Sequence, residues 1–123
     1  MSLLKGMEGV FIPVTNPATS AKWYEEKLGF SPIYIEEEAA TMRIASDAQT
    51  VVCLVRTPNH QPMKFPENDF GVGKYYNFIP QSIEDTYEAL KERGVEVGPI
   101  GGEEGFSYFT FYDPDGNPLG VCK

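Results

Sequence analysis

The sequence predicts an α+β fold in which one β-α-β-β-β module is used twice. Each half of the chain opens with an apolar strand pattern and continues into a helix pattern, the first beginning at Asn16 and the second at Ser82. Each helix pattern ends at a glycine, Gly29 or Gly94, and three short strand patterns follow. Because the same order of elements occurs in both halves, we interpret the chain as an internal repeat.

The first module begins with a predicted strand over residues 9–14, which is rich in β-branched and aromatic residues. Asn16 is a favourable helix N-cap, and Pro17 suits the first helical position because its fixed φ is already helical. The helix shows an apolar stripe at helical spacing, formed by Ala21, Tyr24 and Leu28. Gly29 is expected to end it. Three strands are predicted near residues 31–36, 40–45 and 50–56.

The second module repeats this order from a predicted strand over residues 75–80. Ser82 is expected to cap the helix, with Asp85 three residues further on as in a capping box. Its apolar stripe consists of Ile83, Tyr87 and Leu90. Gly94 is expected to end it. Strands are predicted near residues 95–100, 106–112 and 118–122.

The length of 123 residues predicts a single domain, residues 1–123. Within it, module one covers about residues 6–56 and module two about residues 74–123. The proline-containing segment 57–73 between them is predicted to be a linker. It is long for a loop without regular structure, so we expect it to cover a site or to cross to a partner chain.

The net charge of −8 argues against nucleic acid as a partner, because phosphate binding requires a basic surface. It is compatible with a cationic ligand, and equally with a general role in solubility. The sequence shows neither a secretion signal nor an apolar run of roughly 18 residues that would span a membrane. Two cysteines, Cys53 and Cys122, make no disulfide framework, so a cytoplasmic location is expected.

The last residues of the chain predict a β-hairpin whose turn is Asp113-Pro114-Asp115-Gly116-Asn117, followed by Leu119. This aromatic-x-Asp-Pro-Asp-Gly-Asn-x-Leu pattern resembles the closing hairpin of the vicinal oxygen chelate superfamily, which contains glyoxalase I, extradiol dioxygenases and the bleomycin- and fosfomycin-resistance proteins. Trp23-Tyr24 and Leu28-Gly29-Phe30 are similar to a second family pattern, at the first helix. The resemblance implies that the two modules form a curled mixed sheet around a cup, and that the protein is a homodimer.

The resemblance also places the metal-ligand positions of the family's enzymes on this chain, at Gly9, Cys53, Tyr75 and Gly120. Two of these four residues have no side chain, and the chain's single histidine, His60, lies in the linker. A register shift of one residue would substitute Glu8 for Gly9, but Glu8 would then point to the opposite face. We therefore expect no metal and no other cofactor. Gly9 and Gly120 are expected to leave a hole in the floor of the cup.

Strand alternation assigns further side chains to the cup. It places Val10, Ile12 and Val14 under a helix, and Leu119 and Val121 in the core. The predicted ligand-binding residues are Phe11, Arg43, Cys53, Tyr75, Asn77, Gly120 and Cys122, and Tyr108 and Tyr112 are further candidates for its lining. Plain core packing of the aromatic residues, burial of the two thiols and an exposed Arg43 at a sheet edge remain open alternatives.

Three functions are compatible with these residues. The first is a glyoxalase/bleomycin-resistance-like protein with a degenerate metal site, which binds a small organic molecule in an aromatic-lined cup. The second is an enzyme, a lyase related to glyoxalase I or another member of the lyase and dioxygenase families, with a non-standard site and unknown catalytic residues. The third is a dimeric interaction module without a ligand. The first is our leading hypothesis, by analogy with resistance proteins that sequester cationic drugs.

Overall fold

The computed structural model describes residues 1–123, which divide into two compact units, Met1–His60 and Gln61–Lys123. Each unit contains one sheet and one main helix, as the internal repeat predicts. No helix of the chain has the length and the apolar character needed to cross a lipid bilayer.

The first unit has a four-stranded sheet in the order β1-β4-β3-β2. Its elements are β1 (Gly9–Val14), α1 (Pro17–Trp23), β2 (Ser31–Ile35), β3 (Ala39–Arg43) and β4 (Val51–Arg56). β1 runs parallel to β4, and the other neighbours are antiparallel. All the predicted elements of the first module are therefore present, within one or two residues of their expected ends.

The caps of α1 confirm the signals in the sequence. Asn16 Oδ1 accepts a hydrogen bond from Thr19 N at 3.2 Å, which satisfies one of the free N–H groups of the first turn. The helix continues beyond α1 into a π-helical turn, Tyr24–Leu28, that the sequence pattern did not predict. Gly29 then ends it in the left-handed region, at φ 79°, where a residue without a β-carbon is not strained.

One face of the first sheet carries the core of this unit. Alternate residues of three strands are fully buried on that face, together with residues of the helix: Ile12, Val14, Ala40, Met42, Val52, Leu54, Ala21 and Tyr24. The opposite face has no helix, and Phe11 on it is 70% exposed. The predicted alternation of β1 is confirmed for Phe11, Ile12 and Val14.

The second unit repeats this architecture with the strand order β5-β9-β8-β6 and with β7 also paired to β8. Its elements are β5 (Asn77–Phe78), α2 (Ile83–Glu92), β6 (Glu96–Val97), β7 (Gly101–Glu103), β8 (Phe106–Tyr112) and β9 (Pro118–Cys122). β5 is parallel to β9, as β1 is to β4 in the first unit. Ser82 Oγ accepts a hydrogen bond from Asp85 N at 3.3 Å, and Gly94 has φ 78°, so both predicted ends of α2 are confirmed.

Two strands of the second unit differ from the prediction. β5 covers only Asn77–Phe78 of the predicted 75–80. At the carboxyl end of that range, Pro80 has no N–H to donate to a neighbouring strand. The strand predicted over 95–100 pairs with β8 through Val97, is interrupted around Pro99, and resumes as β7 as far as Glu103. Pro99 also lacks an N–H, so the ladder is interrupted at this point.

The core of the second unit lies between α2 and one face of its sheet. Its buried apolar side chains are Ile83, Leu90, Val95, Phe109, Phe111, Leu119 and Val121. The ring of Tyr87, in the predicted stripe of α2, meets Phe109 edge to face at 5.1 Å between centroids. Leu119 and Val121 thus point to the core, as predicted, and their neighbours in β9 point to the helix-free face.

The turn between β8 and β9 is held by buried polar groups. Asp113 Oδ1 accepts hydrogen bonds from Asp115 N at 3.0 Å and Asn117 N at 2.9 Å. Asn117, which is fully buried, donates from Nδ2 to Asp113 Oδ2 at 2.9 Å. Its Oδ1 accepts from Met63 N at 2.9 Å, so this turn also anchors the segment before β5. The function of the motif within the chain is therefore structural.

Candidate functional site

The helix-free face of the first sheet carries a row of polar and aromatic side chains. In the strand register, Phe11 of β1 lies opposite Cys53 of β4, Cys53 lies opposite Thr41 of β3, and Thr41 lies opposite Tyr34 of β2. Thr41 Oγ1 donates a hydrogen bond to Cys53 Sγ at 3.8 Å. Phe11 and Tyr34, at the two ends of the row, are 70% and 54% exposed. The face therefore presents two aromatic rings with a thiol and a hydroxyl between them.

The adjacent row joins Gly9, Val51 and Arg43. A β-carbon at Gly9 would lie 3.2 Å from Val51 Cγ2, so the space beside Gly9 is largely taken by that side chain. Arg43 is exposed at the end of β3, on the same face as Cys53. Its guanidinium has no carboxylate partner within ion-pair distance.

The helix-free face of the second sheet is centred on Gly120 of β9. Asn77 of β5 and Thr110 of β8 lie on either side of Gly120 in the register, and Gly120 N donates to Tyr76 O at 2.9 Å. In the neighbouring row, Cys122 lies opposite Tyr108. The predicted site residues Asn77, Gly120 and Cys122 thus share one face of this sheet with Tyr108.

The Lys74 side chain crosses this face, and Lys74 was not among the predicted site residues. A β-carbon at Gly120 would collide with the Asn77 side chain and with the aliphatic stem of Lys74, whose Cδ would be 2.8 Å away. The ammonium of Lys74 lies 5.7 Å from the centroid of the Tyr108 ring. The prediction of an empty hole at Gly120 is therefore wrong. Lys74 was missed because it precedes β5, where strand alternation does not determine the direction of a side chain.

Tyr75 is held by the segment that precedes it. Its hydroxyl donates to Lys64 O at 3.4 Å, and its ring lies 5.0 Å from that of Phe65, between centroids. The side chain is nevertheless 50% exposed. Part of the predicted linker thus packs against a predicted site residue of the same unit.

The four positions at which the resemblance places metal ligands offer few side-chain donors. Gly9 and Gly120 have no side chain, the Cys53 thiol accepts a hydrogen bond from Thr41, and the Tyr75 hydroxyl donates one to the carbonyl of Lys64. The chain contains no group of three or more His, Cys, Asp or Glu residues that could hold a metal ion. Since such ions require several converging N, O or S ligands, these residues do not fit the metal of the family's enzymes.

The sequence and the structure were compared with known families and solved structures. The model of the Glyoxalase/Bleomycin resistance protein/Dioxygenase superfamily matches residues 6–121. No curated protein gives a significant match to the sequence.

Several solved structures share the fold at low sequence identity. A glyoxalase family protein from Enterococcus faecalis is 23% identical, with a TM-score of 0.78 over 99% of this chain and 100% of that chain. TnmS3, an antibiotic binding protein from Streptomyces sp. CB03234, is 21% identical, with a TM-score of 0.76 over 98% and 97%. The fosfomycin resistance protein FosX from Listeria monocytogenes is 17% identical, with a TM-score of 0.74 over 98% and 93%.

Proposed function

Because the chain belongs to the glyoxalase/bleomycin resistance protein/dioxygenase superfamily, we propose that it binds a small organic molecule at the helix-free faces of its sheets, without the metal of the family's enzymes. The observation that carries this proposal is the set of exposed rings on these faces. Phe11 is 70% exposed, Tyr34 54% and Tyr108 41%, although each aromatic side chain would gain roughly 2–3 kcal/mol from burial.

The composition of the two faces supports a ligand site. Small-molecule sites are lined mainly by apolar and aromatic side chains, with a few polar groups that orient the ligand. Here the rings are accompanied by the Cys53 thiol and Arg43 on the first sheet and by Asn77 on the second.

The side-chain donor atoms at the four positions where the resemblance places metal ligands support binding without a metal. Gly9 and Gly120 contribute none, and the thiol and hydroxyl of Cys53 and Tyr75 are already engaged in hydrogen bonds. An analogy points the same way, because TnmS3, which shares the fold, is an antibiotic binding protein. The analogy concerns the fold alone, and the identity of the ligand has to come from experiment.

The proposal is tested by a thermal-shift screen of aromatic acids, aromatic amines and neutral aromatic compounds, followed by mapping of each hit with ¹⁵N-labelled protein. We expect a hit whose resonance changes are confined to the helix-free faces. Phe11→Ala should weaken the binding of a hit that maps to the first sheet at least fivefold, about 1 kcal/mol.

Ile35→Ala provides the matched control, because Ile35 is 48% exposed and lies opposite Ala40, on the other face of the first sheet. This variant should bind the hit as the unmodified protein does. A screen without any hit, or hits that map to the helices, would overturn the proposal.

A further inference from the structure

Lys74 is the charged residue at the centre of the helix-free face of the second sheet. Its stem lies over Gly120, in the space that the β-carbon of any other residue at that position would occupy. Its ammonium lies over the Tyr108 ring, 5.7 Å from the centroid, and the residue is half-buried. The position of this cation is therefore defined by packing against three strands, β5, β9 and β8.

The ammonium of Lys74 has no carboxylate partner, although the chain contains 18 acidic and 10 basic residues. Two acidic residues lie at the rim of the same sheet, Glu96 opposite Tyr112 and Glu103 opposite Phe106, and neither is paired with it. The cation–π contact with Tyr108 leaves the three N–H donors of the ammonium available for an anion. The cation is thus positioned and its anionic partner is missing.

From this arrangement we propose that Lys74 is the recognition residue for the carboxylate of an aromatic acid, bound on the helix-free face of the second sheet. The inference rests on the proposed function and specifies the class of ligand. It replaces the expectation of a cationic ligand, because the local charge at the site is positive although the net charge of the chain is −8.

The single positive charge of Lys74 favours a carboxylate over a phosphate. Its ammonium supplies three N–H donors, whereas the Asn77 side chain beside it places Oδ1, an acceptor, over Gly120. One cation matches the charge of a monoanion, whereas phosphate sites commonly use a helix N-terminus or several cations. The exposed Tyr108 ring provides aromatic surface for the rest of the ligand.

Gly120 is a positioning residue in this proposal. Any side chain at residue 120 would occupy the volume that the stem of Lys74 and the Asn77 side chain now fill. The absence of a side chain in β9 is therefore what allows a cation to lie across the face.

The experiment uses three probes of the same shape and different charge, which are benzoate, benzamide and benzamidinium. Each is titrated into the ¹⁵N-labelled full chain at fixed pH and low ionic strength, and the resonances of Lys74, Asn77, Tyr108 and Gly120 are followed. We expect benzoate to shift these resonances and to bind at least fivefold more tightly than benzamide. Benzamidinium should bind most weakly, because its charge has the same sign as that of Lys74.

The second arm removes the charge and keeps the shape. Lys74→Met should lower the affinity for benzoate at least fivefold and leave benzamide unaffected. Lys91→Met is the matched control, because the Lys91 ammonium lies in the same way over a tyrosine ring, 5.4 Å from the Tyr87 centroid, but on α2. It should bind all three probes as the unmodified protein does.

Equal binding of benzoate and benzamide at the same residues would overturn the inference and leave the proposed function intact. Failure of benzoate to bind this face would also overturn it, and the library screen then decides independently on small-molecule binding. The probe series uses the unmodified protein, so the test remains decisive even if Lys74→Met does not fold.

Discussion

The side chain of Lys74 occupies the space into which a β-carbon at residue 120 would point, and this is possible because residue 120 is a glycine. Gly120 lies in β9, and Lys74 precedes β5 by three residues. The pairing of β5 with β9, in which Asn77 lies opposite Gly120, brings the two residues together. The contact replaces an expected hole by a positioned cation, and the first prediction tests it directly.

Gly120→Ala should displace Lys74 and Asn77 while preserving the fold. The atoms in its way are the ends of flexible side chains, and alanine gains about 0.5–1 kcal/mol over glycine by restricting the unfolded chain. We therefore expect a free energy of unfolding within about 1 kcal/mol of the original, and benzoate binding reduced at least fivefold. Urea unfolding and the NMR titration measure the two effects.

Gly98→Ala is the control for this substitution, because its β-carbon would lie 3.7 Å from Thr110 O, an ordinary contact in the same sheet. It should leave benzoate binding unchanged. Unaltered binding by Gly120→Ala would show that Lys74 does not need this space.

Asn117→Ala should lower the free energy of unfolding of the second unit, although it removes no charge. Asn117 is fully buried and its side chain bonds to Asp113 Oδ2 and to Met63 N, each at 2.9 Å. Both partners would then be left without this bond, at a cost of about 1–3 kcal/mol for a buried group. Chemical denaturation with an unchanged m-value provides the measurement.

Asn68→Ala is the comparison for Asn117→Ala. Asn68 also forms several local hydrogen bonds, for example to Phe70 N and Val72 N, but it is exposed to water. Removal of the Asn68 side chain should change the free energy of unfolding by less than about 0.5 kcal/mol. Equal losses for the two variants would contradict a specific role of the buried amide.

Addition of Zn²⁺, Ni²⁺ or Fe²⁺ should change the melting temperature little. A metal that binds only the folded state stabilises it by about 2.7 kcal/mol at one hundred times its Kd. For a chain of this size that corresponds to a shift of roughly 5–15 °C, at about 2–6 °C per kcal/mol. A shift of this size that disappears in Cys53→Ala or Tyr75→Phe would refute binding without a metal and revive the lyase hypothesis.

We also predict a homodimer, on the basis of the two-module repeat and the long segment between the modules. Several apolar side chains are highly exposed, among them Ile79 at 89% and Phe70 at 93%, and contact with a second copy would cover such surface. Light scattering at micromolar concentration should give about twice the chain mass of 13.7 kDa. A monomer throughout that concentration range would count against the prediction.

The sequence by itself determined the elements whose causes are local. The caps at Asn16 and Ser82 and the glycine ends at Gly29 and Gly94 depend on residues within a few positions of each other. β8 and β9 have the predicted bounds, because strand alternation and turn chemistry are both read from neighbouring residues. The repeat of one module followed from these elements. The family fold was implied by the resemblance of the closing hairpin.

The tertiary structure alone decided what lies on the helix-free faces. The contact of Lys74 with Gly120 joins residues far apart in the chain, and it arises from strand pairing and from a lysine placed before the strand begins. The bond between Thr41 and Cys53 likewise depends on the register of β3 with β4. A pattern within one strand gives the side on which a residue lies. Which side chain fills the space above it depends on a neighbouring strand, and only the folded chain brings the two together.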